Sequence, residues 1–168
     1  MKKYSLTDET RQFLGKTLYR IKAEISFKDI KKGQLGGYVE NDANLSHQMD
    51  AWVYGDARVY GNAGVYGKAR VYGNAGVSGN AWVSGNASVY GNARVSGDAE
   101  VSGLCLVHII GLNWDITISD YHIQIGCELH TIEQWEKFTD KEILDMGPNS
   151  LNWWKDFRSI ILKIAKQR

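Results

Sequence analysis

"VYGNARVSGDAEVSG", residues 89–103, repeats one six-residue phrase, and the same phrase runs from Asp50 to Gly103. Valine recurs at 53, 59, 65, 71, 77, 83, 89, 95 and 101. Ala stands two residues before each valine and Gly two residues after it, usually with Asn or Asp next. A Gly every six residues and a β-branched beat exclude a helix. Spacing of the A-x-V type puts Ala and Val on one face of a short strand, with Trp52, Tyr54 or Arg58 pointing the other way. Gly-Asn and Gly-Asp then supply the backbone freedom for a corner.

Two architectures fit this local pattern. Gly-Asn is a hairpin signal, so the strands could zigzag as a meander. Such a sheet leaves a whole Val/Ala face to be covered. Coiled instead into a parallel β-helix with three hexads per turn, the same residues all point into a narrow bore, and the backbone pairs from rung to rung. The β-helix is the better reading. The run "VYGDARVYGNAGVYGKARVYGNAGVSGNAWVSGNASVYGNARVSGDAEV" resembles the hexapeptide-repeat proteins, the LpxA-like trimeric superfamily, whose fold is a left-handed parallel β-helix. Left-handedness is implied by that resemblance alone. The preceding "LYRIKAEISFKDIKKGQLGGYVENDANLSHQMDAWVYGDA" resembles the lead-in of phage and prophage members of the group.

The expected fold class is thus mainly β, with a small N-terminal cap over residues 1–44, the repeat over 45–108, and a C-terminal β-hairpin plus helices over 109–168. "KTLYRIKAEISF" (16–27) alternates as a strand does, and "WDITISDYHIQIG" reads as a hairpin turning at Ser119-Asp120. Thr131 with Gln134 and Thr139 with Glu142 each form a capping box that opens a helix. Gly147-Pro148 stops the second helix, and a final helix carries Leu151, Trp154, Phe157, Ile161 and Ile164 on one apolar stripe.

The 168 residues are 23% charged and 43% hydrophobic, the balance of a soluble globular chain. Net charge is +1, with nine Lys/Arg against four Asp/Glu in residues 1–32, too weak an excess to indicate a nucleic-acid partner. No apolar run approaches the roughly 20 residues that cross a membrane, and the N-terminus has no apolar signal core. Two cysteines give no disulfide framework, and the expected location is the cytoplasm, that of the host if the chain is phage-encoded.

Chemistry-bearing residues are sparse. The resembling acyltransferases use a histidine as base, with acyl-CoA between subunits of a trimer. Here the histidines are His47, His108, His122 and His130, and His47 is the best-placed general base. The extruded loop that walls such enzymes' pockets is missing from residues 50–103. "CLVH" (105–108) and "CELH" (127–130) have zinc-like spacing, but rung parity sends Cys105 inward and His108 outward, so no metal site is assigned. No glycine loop precedes a helix, so nucleotide fingerprints fail, and no cofactor is indicated.

Positions 18 apart stack in a three-hexad coil, so Tyr54, Tyr72, Tyr90 and His108 are expected to form one outward column. The other two columns, Tyr60/Ser78/Ser96 and Tyr66/Ser84/Ser102, turn to serine after one ring. The reading that results is a non-enzymatic phage or prophage binding or scaffolding protein, a homotrimer with an unknown host protein partner and a counter-defence role. The Tyr54/Tyr72/Tyr90 column is its expected interface. Alternatives are an acyltransferase, and a nucleic-acid or nucleotide-signal binder acting through Arg58, Arg94 and the basic N-terminus.

Overall fold

The computed structural model describes residues 2–103, 107–109 and 112–167. The chain forms two compact units, Met1–Leu106 and Val107–Arg168.

In the first unit each hexad yields one two-residue strand ending on its valine. These are β4 (Trp52–Val53), β5 (Arg58–Val59), β6 (Gly64–Val65), β7 (Arg70–Val71), β8 (Gly76–Val77), β9 (Trp82–Val83), β10 (Ser88–Val89), β11 (Arg94–Val95) and β12 (Glu100–Val101). Strands three hexads apart pair in parallel, Val53 with Val71 and Val71 with Val89 on one side, Val59 with Val77 and Val77 with Val95 on another. The product is a β-solenoid of about four turns. Each Ala and Val of the beat, from Ala51 to Val101, is at most 3% exposed. Small side chains fill the bore because only they fit between strands that converge from three sides.

The corners explain the glycine. Gly79 has φ of 67°, and a Cβ there would lie 2.8 Å from the backbone nitrogen of Gly97 one coil on. The Asn or Asp after each Gly also has a use. Asn62 Nδ2 donates to Asn80 Oδ1 at 3.1 Å, and Asn80 Nδ2 to Asp98 Oδ1 at 2.9 Å, a side-chain ladder running along one corner.

The coil starts earlier than residue 45. Strands β1 (Tyr4–Phe13), β2 (Lys16–Ala23) and β3 (Leu35–Val39) are antiparallel neighbours, and β3 then pairs in parallel with β5, Val39 against Val59. Leu45 bridges Val65 in parallel as well, so β3 and Leu45 supply two sides of a first coil and β4 the third. The sequence boundary at residue 44 therefore falls inside a continuous sheet, β1-β2-β3-β5-β8-β11. Gly36-Gly37 makes this possible, since a Cβ on Gly37 would stand 2.6 Å from the Ala57 carbonyl oxygen and 2.7 Å from Val53 Cγ1.

A first coil has no coil beneath it to donate to its carbonyls. Higher up, Trp52 N–H donates to the Ala69 carbonyl and Arg70 N–H to that of Ala87. At the start, Lys3 Nζ donates to the Ala51 carbonyl at 2.8 Å, and the single Tyr4 O–H is shared between the Leu45 and Asp42 carbonyls, each 2.8 Å from the phenol oxygen. Two side chains at the head of β1 thus stand in for a missing rung. The same segment covers Trp52, which the parity of the repeat places on the outer surface. It is 0% exposed, with the Phe27 ring 5.4 Å and the Tyr4 ring 6.3 Å away.

The second unit is an antiparallel sheet of β13 (Val107–Ile109), β14 (Ile116–Ile118), β15 (His122–Ile125) and β16 (Glu128–Thr131), in that order. Three helices follow, α1 (Ile132–Lys137), α2 (Asp140–Asp145) and α3 (Ser150–Lys166). Thr131 and Thr139 cap α1 and α2 through reciprocal bonds with Gln134 and Glu142. Ile116, Ile118, Ile123, Trp135, Ile143, Trp154 and Ile161 form the core, joined by Trp153, which the expected stripe on α3 omits. Both tryptophans face inward because the buried stripe of α3 is wide enough to take adjacent positions.

Candidate functional site: the aromatic surface of the solenoid

Coil stacking brings Tyr54, Tyr72 and Tyr90 into one column. The Tyr54 and Tyr72 rings are 6.4 Å apart and edge to face, and the Tyr72 and Tyr90 rings are 5.6 Å apart and within 16° of parallel. Tyr54 is half-buried, whereas Tyr72 is 38% and Tyr90 40% exposed, large values for stacked aromatic rings. The foot of the column is tied to the N-terminal segment. Arg70 lies over the Tyr54 ring at 6.0 Å and pairs with Asp29 at 3.0 Å. Burial pushes the Tyr54 phenol pKa upward, with Arg70 opposing and Asp29 reinforcing the shift.

His108 stands in β13 of the second unit, paired with Thr117 across an antiparallel strand. Burial there lowers its imidazole pKa, with Asp115 acting the other way.

A second aromatic pair, one member of it exposed, lies on another side of the coil. Tyr66 and Trp82 stack with ring centroids 4.8 Å apart and planes 24° from parallel, and Trp82 is 52% exposed. Column arithmetic misses this pair because its members are not three hexads apart. The signal was Gly64, which sits beneath Trp82 in register, at a position where every strand but β6 and β8 carries a side chain. With no side chain at Gly64, the Tyr66 ring folds over that position and a Cβ there would strike it. The Tyr column stands at the corner that joins the side of β4, β7 and β10 to the side of β5, β8 and β11. Trp82 stands on the side of β6 and β9, the remaining one. The two aromatic patches therefore stand on different parts of the solenoid surface.

Arg58 and Arg94 share the side of β5, β8 and β11, two coils apart with Gly76 between them. Arg58 is engaged, its guanidinium 4.4 Å from the Phe13 ring centroid and donating to the Asn74 carbonyl at 3.3 Å. Arg94 is exposed.

His47 is braced from all sides. Its Nδ1 accepts from the Lys3 backbone N–H at 3.2 Å, which places the ring proton on Nε2, 3.1 Å from the Asp42 carboxylate. The ring also stacks on Tyr4, 4.3 Å away and 15° from parallel. Neither nitrogen is left to take a proton from an acceptor amine or hydroxyl, so the arrangement positions the N-terminal segment rather than preparing a base.

Cys105 lies outside the described residues. Cys127 is exposed, and His130 Nε2 faces Glu128 Oε2 at 3.3 Å. Among the described residues no three His, Cys, Asp or Glu side chains are grouped to hold a metal ion, and no helix is long and apolar enough to cross a membrane.

Residues 51–67, 69–85 and 87–103 each match the family model described as YdcK Beta solenoid repeat. The three matches begin one three-hexad coil apart and coincide with the coils built by β4–β6, β7–β9 and β10–β12. The chain is a β-solenoid repeat protein. Its matched segments cover less than half of it, leaving the N-terminal sheet and the second unit outside the resemblance. No curated protein matches the chain.

Proposed function

We propose that this protein is a non-enzymatic binding or scaffolding protein that assembles head to tail as a homotrimer through the solenoid. The observation that carries this is the presence of two different aromatic patches, Tyr72/Tyr90 at a corner and Tyr66/Trp82 on another side. An isologous dimer needs one self-complementary patch, whereas a closed ring needs two different ones on each subunit. Exposed aromatic surface of this kind is what interfaces bury. A ring of three, with the corner of one solenoid against the side of the next, uses both patches on every copy. The left-handed hexapeptide-repeat fold of the resembling trimers is part of the same proposal.

A phage-encoded, cytoplasmic role against a host protein machine is the biological setting in which such a rigid, multivalent body is useful, and the host partner would dock on surface the ring leaves open. The acyltransferase alternative is disfavoured by His47, whose two nitrogens are both engaged. Nucleic-acid binding through Arg58 and Arg94 is disfavoured by the packing of Arg58 onto Phe13.

Light scattering tests the reading. The parent is expected at three times its 18.9 kDa chain mass, and Tyr72→Ser/Tyr90→Ser at one chain mass with an unchanged circular dichroism spectrum. A parent that stays at one chain mass at micromolar concentration contradicts the trimer.

A further inference from the structure

Four of the five arginines of the first unit are engaged within it. Arg11, Arg20 and Arg70 pair with Asp56, Glu9 and Asp29, and Arg58 lies on the Phe13 ring and donates to the Asn74 carbonyl. Arg94 is exposed on β11 and has no ion-pair partner among the described residues. Gly76 is its neighbour in register, so no side chain of that rung crowds it. Tyr90 of the corner patch stands just before it in the same coil.

Glu100 on β12, also exposed and without an ion-pair partner among the described residues, belongs to that coil too but to another side. It is one rung from Trp82 in register, about 4.8 Å along the solenoid. On the other side of Trp82 is the Gly64 rung, and from there the Tyr66 ring stacks on the indole. The second face of the indole, 52% exposed as a residue, is therefore turned toward the rung of Glu100. An aromatic face with a carboxylate beside it suits a guanidinium, which stacks on the ring and directs its N–H fork to the oxygens.

We infer that Arg94 of one copy of this chain docks against Trp82 and Glu100 of the next, its guanidinium plane on the indole and its N–H groups on the carboxylate. The inference rests on the head-to-tail assembly proposed above and adds what sets the height of one solenoid on the other. Arg94 and Glu100 occupy one coil, so copies with parallel axes meet with their coils level, and a slip of one coil moves the two charges about 4.8 Å apart. Like charges at the same contact would repel, which makes charge reversal the discriminating change.

Sedimentation of the full-length protein across a dilution series reads the effect. Arg94→Glu and Glu100→Arg are each expected to weaken association at least about tenfold, and Arg94→Glu/Glu100→Arg to restore it to within about threefold of the parent. Single variants that associate as tightly as an assembled parent, or a double variant no tighter than the singles, overturn the contact and leave the head-to-tail assembly standing. A parent at one chain mass overturns both. Should a reversed variant fail to fold, Arg94→Gln, Glu100→Gln and their combination decide: each single is expected to weaken association several-fold and the pair no further, whereas additive losses overturn the contact.

Discussion

The Tyr72 and Tyr90 rings, one coil apart in register, stack 5.6 Å from each other and within 16° of parallel while remaining at the surface. If their value lies in the ring faces offered to a neighbouring subunit, the hydroxyls are dispensable. Tyr72→Phe/Tyr90→Phe is expected to keep the parent's molar mass. Tyr72→Ser/Tyr90→Ser is expected to weaken association by about 2 kcal/mol or more, at least about 30-fold in dissociation constant. Sedimentation across a dilution series compares them; equal weakening by both pairs would place the interaction in the hydroxyls instead.

Two glycines of the same repeat should respond to alanine with opposite signs. Gly79 has a left-handed backbone and the Gly97 nitrogen within 2.8 Å of any added Cβ, so Gly79→Ala is expected to cost about 1–3 kcal/mol. Gly76 in β8 has open space around its would-be Cβ and no positive φ. There alanine restricts only the unfolded chain, and a gain of about 0.5 kcal/mol is expected. Urea midpoints of the two variants check this, and a loss at Gly76 would mean that the notch between Arg58 and Arg94 has an occupant.

The solenoid was legible because its signal is redundant: the valine beat, the alanine two before and the glycine two after all demand the same coil. Side chains that act across the coil were less legible. Trp52 occupies an outward slot yet is buried, since what covers it, Tyr4 and Phe27, lies in a segment with no repeat to index it. The Tyr column followed from spacing alone, while the Tyr66–Trp82 stack depended on a missing side chain at Gly64, which column counting does not register. His108, which the same spacing adds to the column, stands in the antiparallel β13 of the second unit.

Lys3 gives the first unit a distinctive response to alkali. It is 2% exposed, and burial lowers its pKa from 10.5 to about 8, with Asp50 pulling the other way. Between about 8 and 10.5 the unfolded chain retains a proton that the folded one has released, so stability from this group rises with pH across that window. Tyr4 acts oppositely. Burial, aided by Asp42, raises its phenol pKa, so its contribution is complete below 10 and declines as pH rises beyond. Denaturation at pH steps through this range should therefore show a rise above pH 8 that Lys3→Met abolishes. The same slope in both proteins would contradict the placement of Lys3 in the first rung.

His47→Ala is expected to act on stability. It leaves the buried Lys3 N–H without an acceptor and removes the ring stacked on Tyr4, together about 2–3 kcal/mol. Thermal melting of the variant checks this. A variant as stable as the parent would reopen a chemical role for the imidazole.

The head-to-tail arrangement is tested most directly by mixing two defective proteins and measuring the molar mass by light scattering. Tyr72→Ser/Tyr90→Ser lacks the corner patch and Trp82→Ser lacks the second one, so each alone is expected at a single chain mass of 18.9 kDa. Mixed in equal amounts, they retain one intact contact between them, and the expected product is a heterodimer of twice that mass that cannot close into a ring. A mixture that remains at one chain mass, or single mutants that still reach three, would contradict the account.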